Sequence, residues 1–100
     1  MDAQCQSLAQ VRANIDRIDR QLVTLLAERG RFVSHAAGFK RNTEEVRDGQ
    51  RVEQVIAGVR RLAEELGANP DVSEAVYRAM INAFIQLELS EHSALTAQRP

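Results

Sequence analysis

Cysteine pairs, prolines, aromatic residues and long apolar runs are all scarce in this 100-residue chain. The single cysteine, Cys5, cannot close an internal disulfide, and no Cys/His spacing suits a zinc site, so no metal is expected. No apolar run approaches the ~20 residues of a membrane span, and no signal-peptide core is apparent. Thirteen basic and 14 acidic side chains leave a formal net charge of −1, with no block of either sign. That balance argues against nucleic acid or an anionic membrane as a partner. The expectation is a protein of a reducing compartment, the cytoplasm. Proline occurs only at Pro70 and Pro100. No stretch alternates with period two for long enough to make a strand. What remains is rich in Leu, Ala, Glu, Arg and Gln, all good helix formers.

The apolar spacing predicts one all-α domain over residues 1–100, with a core of 8–94 and disordered ends. Leu8, Val11, Ile15, Ile18, Leu22, Leu25, Arg29, Phe32 and Ala36 follow one another in alternating steps of three and four. Such a seam marks a long first helix, predicted from about Ser7 to about Arg41 and roughly 50 Å in length. A compact chain of this size has a radius of gyration of about 13 Å, so the seam needs a second long helix to cover it. A symmetric homodimer is the simplest source. Residues 42–47 read as a polar connection. Asp48 is the expected N-cap of a second helix whose apolar side carries Val52, Val55, Ile56, Val59, Leu62, Ala63 and Leu66, with Gly67 as the stop. Asn69-Pro70 reads as the start of a third helix. Its apolar side carries Val76, Tyr77, Met80, Ile81, Phe84, Ile85 and Leu89, and it frays by about Thr96 into a disordered tail.

Charged residues interrupt these stripes. Arg29 holds a seam position, and Lys40 lies eleven residues on, an offset of only ~20°, so both cations are expected to share one face. Arg12 lies ~100° away around the same helix and points elsewhere, into a partner's pocket in a dimer. Glu88 continues the 77–81–84–88 spacing of the third helix and faces inward, while Arg51 stands in the first turn of the second. Singly, each has an ordinary account. Arginines snorkel, a lysine at a helix end complements the dipole, Arg51 can pair with Asp48 or Glu53, and Glu88 can be a plain ion-pair partner. His35 and His92 read as surface residues, and Cys5 as inert. Together, several cations and one acid in an apolar helical cavity suit a small dianion, since an arginine fork grips a carboxylate best. No nucleophile–base pair is evident, so such a site acts by positioning and charge stabilisation.

The ordered set Val11-Arg12-Ala13-Asn14-Ile15-Asp16-Arg17-Ile18-Asp19, Leu25-Leu26-Ala27-Glu28-Arg29, Gly38-Phe39-Lys40, Val46-Arg47-Asp48-Gly49-Gln50-Arg51 and Met80-Ile81 through Glu88 resembles the all-helical chorismate mutase family, over about residues 8–92. The resemblance implies two interlocked three-helix protomers with paired first helices and no cofactor. It implies that Arg12 enters the partner's site and, with Arg29, grips the two carboxylates of chorismate. Lys40 takes the ether oxygen and a carboxylate, Arg51 supports the site or a carboxylate, and Asp48 takes the substrate hydroxyl. The implied reaction is the pericyclic rearrangement of chorismate to prephenate, on the route to phenylalanine and tyrosine. Negative charge builds on the ether oxygen, which hydrogen-bond donors stabilise.

Three positions depart from the family's pattern. Glu88 stands where glutamine is common, and an ionised glutamate cannot donate to the ether oxygen. The expectation is therefore activity that improves as pH falls, flattened by Glu88→Gln. Val52 replaces a frequent glutamate, and Phe84 a small polar residue, making the pocket more apolar. Arg51-Val52 with Ala36-Ala37-x-Phe39-Lys40 is also similar to the isochorismate-pyruvate lyase branch, which serves salicylate and siderophore synthesis. Asp48 argues for the mutase, because the lyase branch tends to lack an acid there. A related activity on an amino analogue of chorismate and a non-catalytic helical dimerisation module are the other readings.

Overall fold

A computed structural model describes residues 4–97, with side chains described through residue 91. Its elements are α1 (Leu8–Ala37), α2 (Thr43–Val46), α3 (Gly49–Leu66) and α4 (Pro70–Ala97). The fold class is all-α as expected, with three long helices, and the described residues contain no strand. Among them no helix is long and apolar enough to cross a membrane. The last residues of the expected disordered tail, and the His92 side chain, lie outside the described part. Two compact units divide the chain between Phe32 and Val33.

The first unit is helical from Leu8 onward. Ser7 begins it, its Oγ accepting from the Gln10 N–H at 3.1 Å in the manner of an N-cap. The seam read from the sequence is uncovered: Val11 is 39% exposed, Leu22 54% and Phe32 68%. An apolar stripe this long, facing water, lacks the burial that usually stabilises an amphipathic helix.

The second unit is a hairpin of α3 and α4, with α2 also packed on α4. Each boundary has a local cause. Asp48 caps α3, a side-chain oxygen accepting from the Arg51 N–H at 3.1 Å. Gly67 ends it at φ 77°, where the Ala68 N–H reaches Ala63 O at 2.8 Å, a Schellman closure that a side chain at 67 would strain. Asn69 Oδ1 then accepts from the N–H groups of Asp71 (2.8 Å) and Val72 (3.2 Å) to start α4 at Pro70. The core comprises Ala37, Val46, Ile56, Ala63 and Ile81. Leu62, Leu66 and Val76, assigned by periodicity to the apolar sides, are exposed. The reason is that the predicted stripe is broader than the face the hairpin covers.

Ion pairs lace the hairpin from outside. Arg60 meets Asp71 (3.1 Å) and Glu74 (2.8 Å), while Arg78 meets Glu74 (2.7 Å) and Glu53 (2.9 Å). Hydrogen bonds from Arg78 hold the Glu53 and Glu74 carboxyls below the usual carboxylate range, with Arg60 adding to the effect at Glu74.

Two expectations need correction. The first helix ends at Ala37, four residues before the expected Arg41. Beyond it Gly38, Phe39 and Lys40 donate their N–H groups to the carbonyls of His35, Ala36 and Ala37, three tight i→i−3 bonds in place of helical ones. The segment 42–47 is not merely a polar connection, because residues 43–46 form a helical turn. Asn42 caps it by accepting from the Glu45 N–H at 2.9 Å, and Val46 is buried beneath it. The Arg41 backbone N–H, then its guanidinium, bind Glu45 and hold its carboxyl below the usual range.

Candidate active site

The second unit brings Lys40 and Glu88 together. Glu88 is the one charged residue found buried among the described residues, at 4% exposure. Tyr77, Ile81, Phe84 and Glu88 recur at steps of four, three and four on α4, and each is buried or half-buried, as the spacing predicts. Lys40 reaches Glu88 from the turn after α1, with Nζ 2.5 Å from Oε2. Oε2 is shielded from solvent and has no directed hydrogen bond, so the contact is an ion pair by distance and not by hydrogen-bond geometry. The Lys40 side chain keeps 28% exposure, so one end of the pair is dry and the other opens to solvent.

Lys40 therefore does not share a helical face with Arg29. The regular turn of 100° per residue ends at Ala37, three residues before Lys40. Arg29 is half-buried in the first unit, and Arg12 is exposed there. Asp48 and Arg51 meet through the cap of α3, and both side chains are exposed. One Asp48 oxygen is occupied by the helix N-terminus, leaving the second for any other partner. Val52 and Phe84 are half-buried, Phe84 one turn before Glu88 on α4. His35 is exposed, as expected, with its ring 5.5 Å from Phe39.

Sequence reasoning overlooked Ser34 and Glu91, whose side chains meet at 3.0 Å close to this pair. The signal was available but weak: Glu91 follows Glu88 by three residues, nearly one helical turn, on a helix otherwise apolar on that side.

Chemically, a buried carboxyl facing a partly exposed ammonium offers a cation to a developing oxyanion, and a proton donor when the carboxyl is protonated. Comparison with known proteins gives this geometry a context. A relative described as isochorismate pyruvate lyase, from Pseudomonas aeruginosa, is 32% identical over 81 residues, covering 81% of this chain and 80% of the relative. The family model for chorismate mutase type II matches residues 11–89, a span that takes in Arg12, Arg29, Lys40, Asp48, Arg51 and Glu88. With its all-helical fold and a match to the family model over residues 11–89, this chain belongs to the chorismate mutase type II family.

Proposed function

We propose that this protein is a chorismate mutase working as a homodimer, with no metal or cofactor. The observation that carries the reading is the Lys40–Glu88 pair, a partly exposed cation against a buried potential donor in a chain of this family. In this reading the enzyme holds chorismate in the reactive chair while one C–O bond breaks and one C–C bond forms. The Lys40 ammonium and the protonated Glu88 carboxyl stabilise the charge that builds on the ether oxygen. Arg29, and Arg12 from the second copy, grip the two carboxylates. The free oxygen of Asp48 accepts the hydroxyl, Arg51 supports the site, and Val52 and Phe84 line it.

The exposed seam of α1 supports the homodimer, since a second copy offers an identical stripe. Mixing an Arg12→Ala protein with a Lys40→Met protein tests the sharing of the site. Random exchange makes half the dimers mixed, each with one intact site, and restores about a quarter of wild-type activity. No restoration counts against a shared site.

A second reading is isochorismate-pyruvate lyase, favoured by the Pseudomonas aeruginosa relative and by Val52 beside Arg51. Product analysis separates the two. Purified protein receives chorismate and, separately, isochorismate, each at about pH 5 and about pH 7.5. Prephenate from chorismate supports the mutase. Salicylate and pyruvate from isochorismate, with little prephenate, assign the lyase. Turnover of neither removes both reactions and leaves a helical dimerisation module.

A further inference from the structure

The last turn of α1 makes a polar contact that the proposed reaction does not use. The Ser34 hydroxyl donates to Glu91 Oε1 at 3.0 Å, across 57 residues of sequence, and both residues are half-buried. No cation pairs with Glu91 among the described residues, so this is a hydroxyl–carboxylate bond and not part of a salt bridge. Hydrogen bonds to an ionised acceptor are among the stronger ones, and a half-buried carboxylate deprived of its donor loses most.

Its place gives it a role. Glu91 follows Glu88 by three residues, putting the two carboxyls ~60° apart on one face of α4. Ser34 precedes Lys40 by six residues, and the three tight i→i−3 bonds of residues 38–40 occupy most of that interval. Ala37, at 1% exposure, packs the joint from inside. The backbone of α4 packs most closely on α3 and α2. The end of α1 and the turn after it meet α4 through side chains: Ser34 to Glu91, and Lys40 to Glu88. A turn anchored at both ends has far fewer positions for Lys40 than one anchored at the ion pair alone.

We infer that Ser34 and Glu91 form a positioning pair that fixes the turn carrying Lys40 against Glu88. It rests on the proposed reaction for its kinetic test, and on the geometry alone for its thermodynamic one. Ser34→Ala and Glu91→Ala are each expected to lower kcat about tenfold, because the cation no longer sits where charge develops. KM should stay within about twofold, since the grips of Arg12 and Arg29 on the carboxylates are untouched. Glu91→Gln keeps an oxygen that accepts the same hydroxyl and should lie within about twofold of wild type. The double alanine variant should be no slower than the slower single one.

The second readout does not need turnover. The coupling between Lys40→Met and Glu88→Gln, measured by urea unfolding, should weaken by about fivefold when the cycle is repeated with Ser34→Ala. Wild-type kcat in Ser34→Ala overturns the inference, as does a Glu91→Gln protein as slow as Glu91→Ala. If the wild type turns over neither substrate, the reaction has been misassigned and the unfolding cycle decides alone. A coupling unchanged by Ser34→Ala then overturns the positioning role.

Discussion

Replacing Lys40 with methionine keeps an unbranched side chain of similar length but removes the cation facing Glu88. The consequence follows from burial. Glu88 is 4% exposed and its Oε2 has no hydrogen bond, so the carboxylate left behind has little water to turn to. Breaking a fully buried pair in this way costs roughly 3–5 kcal/mol. Here the Lys40 side chain is 28% exposed, which places the loss near the lower end. The expected destabilisation at pH 7 is therefore about 3 kcal/mol.

A second substitution tests whether the orphan charge is the cause. Adding Glu88→Gln to Lys40→Met removes the orphan charge and should recover about 2 kcal/mol at pH 7, leaving the smaller cost of a buried amide. Urea unfolding followed by circular dichroism supplies the free energies, at one protein concentration because association adds to apparent stability. A double variant as unstable as the sum of the single ones would refute the orphan-charge account.

The kinetic counterpart concerns the same carboxyl: kcat/KM for prephenate formation should rise from pH 7.5 to pH 5, and Glu88→Gln should flatten that rise. An unchanged profile in the variant removes Glu88 as a proton donor. Asp48→Ala should lose about 1 kcal/mol of stability with the cap of α3, whereas Asp48→Asn keeps the cap and should stay within a few tenths. Lowered kcat/KM in Asp48→Asn at unchanged stability would place the hydroxyl of the substrate on its second oxygen, and unchanged kinetics would leave Asp48 only a cap. Arg78→Gln should reduce stability at neutral pH and converge with wild type in acid, read as Tm against pH. Arg78 holds Glu53 and Glu74 below their usual value of 4.5, so their contribution is present above that pH and disappears as pH falls through the lowered folded values. Parallel Tm curves down to pH 3 would show that the network contributes no linkage.

Much of this arrangement is legible in the sequence, and the gaps have identifiable causes. Periodicity placed three long helices because each has enough turns for its apolar positions to repeat. Asp48, Gly67 and Asn69-Pro70 marked boundaries because capping and left-handed closure are local chemistry. The one-turn helix at 43–46 was missed because four residues carry no period. Its signal was Asn42 three residues ahead of Glu45, a capping pattern in which each residue satisfies a nearby N–H. Ser34 and Glu91 stand 57 residues apart, and the step of three from Glu88 to Glu91 hints at an inward acid without naming its partner.

The misplaced end of α1 has the larger consequence, because it changes what holds the site together. On a continuous helix, Lys40 would take its direction from the register of the seam, as Arg29 does. The helix instead stops at Ala37, and Lys40 is aimed by three tight backbone bonds and by its partner on α4. The inward position of Glu88, in contrast, is set by helical register and was readable from the 77–81–84–88 spacing. One half of the pair is thus fixed by a rigid element and the other by a turn. Changes within residues 38–40 should therefore affect Lys40 without displacing Glu88, and the precision of the pair depends on how firmly that turn is anchored.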